Sequence, residues 1–382
     1  MRERIYLDYN ATAPLEAEAR EAITEALGLT GNPSSVHEEG REAREVVESA
    51  RAEVAALVGA EPAEIVFTSG GTEADCLGVA GLARIARRSG LPARIAAPEI
   101  EHPAVRGALR ALGREGFEVV AVPVHAGGAI DLAALRRVCA QGVGLVVVGH
   151  ANHELGTLQD IEAVSAIARE AGALVHCDAV QSAGKLDVRA PALGADAVAV
   201  SAHKFGGPKG VGALWIAPER DLEPLFEAGH QERERRPGTE NVPGIAGMGA
   251  AARRARKRLP AAAAEVAQLA LRLEQGLRAM DGVEIHGGGA VRVGNTVNAG
   301  FTGALGESVV AALDLAGIAA STGAACTSGT VAPSPVLRAL GLPPERAVEA
   351  VRFSLGPGTR ADHIDETLSV LPPIVERARA YR

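Results

Sequence analysis

Between about residue 15 and residue 250, short and nearly unbroken apolar runs alternate with longer stretches rich in Ala, Arg and Glu. The runs are Ile65-Val66-Phe67, Glu118 to Val122, Leu145 to Val148, Ala173-Leu174-Val175 and Ala197 to Val200. A strand with one wet face alternates polar and apolar residues, whereas a strand with no polar face must be covered on both sides. The intervening helical segments, such as Gly40 to Val58 and Asp131 to Cys139, supply that cover and the crossovers parallel strands require. The pattern predicts an α/β fold, with a large domain over residues 15–250 whose mostly parallel central sheet is flanked by helices.

After Pro243 the rhythm changes. A long Ala/Arg/Leu/Glu helix is expected from about Gly247 to Met280, with a break at Pro260 because proline lacks the amide a helix interior needs. Strand-like segments follow near Val283 and at Thr296-Val297, then a helix around Glu307 to Ala316. A Gly/Ser/Thr loop containing Cys326 and a strand at Val351 to Ser354 come next. Residues 251–382, together with 1–14, read as a smaller α+β domain, and 382 residues suit two domains.

Composition excludes several classes of function. A formal charge of -8 argues against a general nucleic-acid or membrane-surface binder, and Arg253 to Arg258 read as one solvated helix face. No apolar run reaches the roughly 18–20 residues of a membrane span, and no hydrophobic stretch of signal-peptide length follows Met1, so a cytoplasmic location is expected. The four cysteines, Cys76, Cys139, Cys177 and Cys326, form no CxxC pair, which leaves neither a zinc site nor a disulfide framework. Only Cys326 sits in a polar, Gly-rich loop, where a thiol can be a nucleophile; the other three read as packing residues.

Four elements carry chemistry. Lys204 lies in Ser201-Ala202-His203-Lys204-Phe205-Gly206-Gly207, directly after an apolar strand and inside a Gly-rich turn. That is a place for a Schiff-base amine, although such turns also occur without one. Asp178 ends the preceding strand, where a carboxylate can hold the proton of a pyridinium nitrogen or merely cap a helix; Gln181 follows within reach of a phenolic oxygen. Thr68-Ser69-Gly70-Gly71-Thr72-Glu73 joins a strand to a helix, as a phosphate-binding turn or a plain N-cap. His102 follows the strand Arg94 to Ala97, placed either to stack on a ring and shuttle protons or to cap a helix. All four fall in order at the carboxyl edge of one sheet, where ligands of such folds bind.

With these residues in place the chain resembles the class V, fold-type I pyridoxal-phosphate enzymes, and among them the cysteine desulfurases of the NifS/IscS type. The matching segments run nearly end to end. They are Tyr6 to Thr12, Gly31 to Ser35, Phe67 to Asp75, Glu101-His102, Asp178 to Gln181, Ser201 to Gly210, Arg235 to Asn241, Ala325 to Gly329 and Arg352 to Gly356. The resemblance implies pyridoxal 5'-phosphate on Lys204, His102 stacked on the ring, Asp178 on the pyridinium and Gln181 on the phenolate. It implies Gly71, Thr72, Ser201 and His203 around the phosphate, with Thr239 reaching in from the other subunit of a homodimer. Arg352 would clamp the substrate carboxylate, with Asn32 and Asn152 also at the substrate. Cys326 would take sulfur from L-cysteine as a persulfide, leaving L-alanine, and pass it to an acceptor protein such as an iron–sulfur scaffold or a thiolation protein. His102 is the candidate base for the Cys326 thiol, which at an ordinary pKa of about 8.5 is only partly ionised at neutral pH.

Departures from the family pattern matter too. His153 stands in Asn152-His153-Glu154 where a second Asn is usual; it can still serve the phenolic oxygen, but it is bulkier and titratable. Cys76 replaces a usual Asn, and Thr322-Gly323-Ala324-Ala325-Cys326 lacks a hydroxyl found in many members. The alternatives are another class V enzyme (a selenocysteine or cysteine-sulfinate lyase, or an aminotransferase) or a non-catalytic partner subunit.

Overall fold

The computed structural model describes residues 4–322 and 332–380. Seven strands form the central sheet: β2 (Ile65–Thr68), β3 (Arg94–Pro98), β4 (Glu118–Val122), β5 (Leu145–Gly149), β6 (Leu174–Asp178), β7 (Ala197–Ser201) and β8 (Gly212–Ile216). Their spatial order is β2-β8-β7-β6-β5-β3-β4, and only β8 runs antiparallel to its neighbours. Strand β8 follows the Gly-rich turn after Lys204, and the sequence pattern did not point to it.

Successive strand residues serve two covered faces. Ile65, Phe67, Val146, Val148, Val175, Val198 and Val200 point into one apolar layer, packed under α1 (Ala17–Ala26), α2 (Glu38–Leu57), α5 (Leu132–Cys139), α6 (Ile161–Glu170) and the first half of α7 (Val242–Arg278). Val66, Ile95, Leu145, Val147, Leu174, Ala197 and Leu214 point into the other, under α3 (Gly71–Arg88) and α4 (Pro103–Arg114). This double cover is the physical reason those strands read as unbroken apolar runs.

The expected break at Pro260 does not occur. Helix α7 runs through it from Val242 to Arg278. Pro260 is exposed, and so is Arg256, the residue whose carbonyl loses its amide partner, which leaves that loss on the solvent side of the helix.

The rest of the chain packs around a second core. Strands β9 (Val283–His286), β10 (Thr296–Phe301) and β12 (Ala350–Ser354) form an antiparallel sheet in the order β12-β10-β9. Helix α8 (Gly306–Leu315) and the helix Ala361–Ala380 lie against it. The N-terminal strand β1 (Ile5–Tyr6) pairs in parallel with β11 (Ile318–Ala319). From there the chain crosses to the large sheet: the Tyr9 amide donates to the Ser354 carbonyl, and the Ala13 amide to the His203 carbonyl. Among the described residues, no helix is long and apolar enough to cross a membrane.

Candidate active site

The carboxyl ends of β2, β3, β5, β6 and β7 open on one cavity of about 390 Å3. It is lined by Gly71, Thr72, His102, Asn152, His153, Asp178, Gln181, Ser201, His203 and Lys204, all singled out from sequence. Thr12, Ser69, Asp75, Glu101 and Lys209 line it as well.

At one end stands an anion cradle. The start of α3 presents Gly71 and Thr72, and the first amides of a helix have no intrahelical acceptor. Close approach is built in: a Cβ at Gly212 would lie 2.5 Å from the Gly70 backbone, so β8 passes directly beneath the turn. Ser201, His203 and Lys209 complete the cradle. His203 is neutral, held at a pKa of about 4 by burial and by Lys204 and Lys209, and its Nδ1 lies 3.0 Å from the Thr12 hydroxyl.

Asp178 occupies the last position of β6. Its Oδ1 accepts from the Val180 amide at 2.8 Å, so it closes a local turn and also faces the cavity. Burial raises its pKa, while His102, the Val180 amide and Lys204 pull it down. Below it lie two more buried acids. Glu101 Oε1 accepts from the Gly149 amide at 2.9 Å, and burial pushes its pKa to about 8. Asp75 lies 3.1 Å from His176 Nε2, and burial with Asp178 and Glu101 nearby raises its pKa too. Gly78 makes room for that pair, since a Cβ there would sit 2.4 Å from the His176 ring.

Both readings of His102 hold at once. It is the N-cap of α4, its Nδ1 accepting from the Ala104 amide at 3.2 Å. Burial lowers its pKa, so the ring is neutral and carries its proton on Nε2. In that tautomer its Nε2–H is a donor. The His153 ring meets it edge-on, centroids 5.1 Å apart at 83°, and is likewise kept neutral by burial and by His102, Arg352 and Lys204.

Lys204 Nζ donates to the Asn10 and Ala11 carbonyls at 2.6 and 2.9 Å. Burial, then the neighbouring Arg352, lowers its pKa to about 8, against the pull of Asp178 and Asp8. Arg352, on β12, donates to Asp8 Oδ1 at 2.8 Å and to the His153 carbonyl at 2.9 Å, and its buried Nε has no partner among the described residues. It does not line the cavity wall, yet it acts on Lys204 electrostatically.

Thr239 and Asn32 stand apart from this cavity, and Asn152, on its wall, is engaged elsewhere. Thr239 lines a separate cavity of about 160 Å3 on the far side of Ser69, with Glu240 and Asn241. Asn32 is exposed, its Oδ1 accepting from the Ser34 amide at 2.9 Å. Asn152 engages its carboxamide on the Ile100 carbonyl and the Glu154 and Leu155 amides, as a loop anchor. Cys326 lies outside the described residues. Cys139 and Cys177 are buried and Cys76 half-buried, and burial raises all three thiols, which suits packing rather than attack.

Sequence reasoning assigned no role to Asn10, Asp75, Glu101, His176 or Lys185. A signal existed for two: His176 is a polar residue in an apolar strand, and Lys185 stands four positions after Gln181.

The donor set fits pyridoxal phosphate: a helix N-terminus with hydroxyls and a lysine for the phosphate, a carboxylate for a ring nitrogen, and an amine of lowered pKa for the aldehyde. The chain belongs to the class-V aminotransferase family, whose profile matches residues 5–367. Cysteine desulfurases are among the relatives. One from Klebsiella pneumoniae is 43% identical over 383 residues, covering 99% of this chain and 94% of that protein. A solved structure described as a NifS-like protein superposes with a TM-score of 0.91 at 34% identity, covering 98% of this chain and all of the other. A structure of SspA in complex with cysteine gives 0.81 at 31% identity, covering 92% of this chain and 99% of the other. Membership of the family implies pyridoxal phosphate as cofactor.

Proposed function

We infer that this chain is a pyridoxal-phosphate-dependent cysteine desulfurase, which takes sulfur from L-cysteine, releases L-alanine and carries the sulfur on Cys326. The observation that supports it most is the convergence of the Lys204 amine, the Asp178 carboxylate and the α3 N-terminus on one cavity. Full-length relatives of that activity point the same way.

Each residue has a task. Gly71, Thr72, Ser201 and His203, with Lys209 added, would hold the phosphate; Asp178 would keep the proton on the ring nitrogen; His102 would stack on the ring; Gln181 and His153 would serve the phenolic oxygen. The bound cofactor supplies an electron sink that weakens bonds at the substrate's Cα and Cβ. Lys204 binds the cofactor and, once freed and neutral, takes the Cα proton. The Arg352 guanidinium, already beside Lys204, receives the substrate carboxylate. Cys326 Sγ bonds to the substrate sulfur as the carbon–sulfur bond breaks, and a proton completes alanine.

Thr239, set away from this chain's own cavity, is the residue offered to a second copy in a homodimer. The large domain of residues 15–250 carries the cofactor, and residues 1–14 with 251–382 carry the Cys326 loop. A cytoplasmic sulfur acceptor, an iron–sulfur scaffold or a thiolation protein, would empty the persulfide.

The test is the mass of the Cys326 peptide after L-cysteine treatment. One added sulfur, removed by reductant, is expected, and Cys326→Ala should keep the cofactor while losing sulfide release. An unmodified peptide together with an active Cys326→Ala enzyme would replace this reading with a lyase.

A further inference from the structure

We propose that Lys185 is a positioning residue for the cofactor's ring oxygen, locking the Gln181 carboxamide with its N–H2 end toward the cavity. The proposal rests on the pyridoxal-phosphate reading above and adds a residue to it.

A glutamine side chain can turn over, exchanging a donor for an acceptor, and the two ends differ little in shape. Its orientation is settled only by what surrounds it. Gln181 is 8% exposed and lines the cavity. Its Oε1 accepts from Lys185 Nζ at 2.7 Å, and its Nε2 donates to the Asn10 carbonyl at 3.0 Å. An ammonium can only donate and a carbonyl can only accept. The flipped amide would face donor with donor and acceptor with acceptor, so one orientation survives. Nε2 has a second hydrogen, which remains for the cavity.

Lys185 is itself fixed. Its amine also donates to Asn10 Oδ1 at 2.8 Å, and that oxygen accepts from Asn295 Nδ2 at 3.0 Å. Asn10 Nδ2 donates to the Thr296 hydroxyl at 2.9 Å, and the Asn10 amide to the Ser354 hydroxyl at 2.9 Å. Asn10 is thus tied to β10 and β12, and through its carbonyl it touches both Gln181 and Lys204. The partners of Lys185 are two neutral carboxamide oxygens. Charged groups facing it are Lys204 and Arg352, and burial with those two cations lowers its pKa well below the ordinary lysine value. Charged, it can only donate to Gln181; neutral, it keeps two N–H donors for the Gln181 and Asn10 oxygens it already meets, and the Asn10 carbonyl still rejects a flipped amide.

A donor on the ring oxygen stabilises its negative charge and disfavours protonation of the Lys204 linkage beside it. Losing the fixed donor therefore raises the pH midpoint of the bound cofactor's visible absorbance. The experiment titrates that absorbance in holoenzyme carrying Lys185→Met, Lys185→Arg, Gln181→Met and the Lys185→Met/Gln181→Met pair. Wild type that binds no cofactor would defeat the underlying reading rather than this one. With cofactor bound, Lys185→Met should move the midpoint up by about one pH unit, the worth of one hydrogen bond. Lys185→Arg, still a donor, should return it toward wild type, and the pair should move no further than Gln181→Met alone. A Lys185→Met midpoint equal to wild type, or an additive shift in the pair, would overturn the proposal. If Lys185→Met cannot be isolated, Lys185→Arg and the pair decide by the same criteria.

Discussion

Glu101 makes a demanding test of how the floor of this site is charged. It is 4% exposed, with one oxygen on the Gly149 amide and Asp178 close by. Burial is the main cause of its pKa of about 8, with the Asp178 charge adding and the Gly149 amide opposing. Unfolded, the same carboxyl ionises near 4.5. Between those values the folded chain holds a proton that the unfolded chain has released, so raising the pH through this window favours unfolding. At about 1.36 kcal/mol per pH unit, the loss is ~3 kcal/mol at pH 7 and ~5 kcal/mol from pH 8 upward. Glu101→Gln keeps the shape and the oxygen that accepts from Gly149 but never ionises. It should match wild type near pH 5 and exceed it at pH 7, raising the thermal midpoint of cofactor-free protein by roughly 5 °C. Asp75 and Asp178 also titrate, but they are present in both proteins and cancel to first order. A Glu101→Gln advantage that does not change between pH 5 and pH 7 would mean that Glu101 is ionised in the fold.

Other consequences can be measured directly. The rate at which cofactor-free protein captures pyridoxal phosphate should rise about tenfold per pH unit below the Lys204 pKa of about 8 and level off above it, because only the neutral amine attacks; a rise continuing toward the ordinary lysine value of ~10.4 would contradict the shift. Asp178→Asn retains the turn to Val180 but not the charge, so alanine formation from cysteine should fall by ~10²–10⁴-fold in a folded, cofactor-bound protein, and near-wild-type turnover would remove Asp178 from the ring nitrogen. Glu232 accepts from both Arg51 Nη atoms at 2.7 and 2.8 Å and from the Phe67 amide, at the start of three non-glycine residues with positive φ of 48°, 57° and 65°. Glu232→Gln leaves buried Arg51 with only the half-exposed Glu48 as a charge partner, so it should cost about 3 kcal/mol, read as a lower thermal midpoint, and an unchanged midpoint would show the anchor to be dispensable.

Much of this architecture was legible because its causes are local. A strand covered on both faces must be apolar at every position, so β5, β6 and β7 stood out from their residues alone. A Lys or Asp at the end of such a strand is a departure from that rule and draws attention to itself, as Lys204 and Asp178 did. Strand β8 was hidden because Gly212-Ala213-Leu214-Trp215-Ile216 follows a glycine turn with no helix between, the usual mark of a crossover. Pro260 misled because the rule it breaks is relaxed where the lost bond lies on the solvent side of the helix. Arg352 was found only by resemblance. Nothing near it in sequence tells that β12 lies beside residue 8.

That last point reaches further than one arginine. The segment Asp8 to Ala13 has no regular secondary structure apart from an isolated bridge to β12, yet it joins the two halves of the site. Asp8 takes one Arg352 Nη, the Asn10 and Ala11 carbonyls take the Lys204 amine, and Thr12 and Ala13 take the His203 ring and carbonyl. Each contact spans well over a hundred residues of chain, so no window of sequence contains both partners. Backbone carbonyls carry no side-chain signature, and two of them hold the Lys204 amine. The segment's own amides are in turn bonded to Ser354 and His203, so its placement depends on both sheets at once. A change that shifts β12 against the large sheet must therefore move the Lys204 amine relative to Gln181 and Asp178. The spacing among the Lys204 amine, the Gln181 carboxamide and the Asp178 carboxylate is a property of how β12 meets the large sheet, and the geometry of the cavity depends on how rigidly that contact holds.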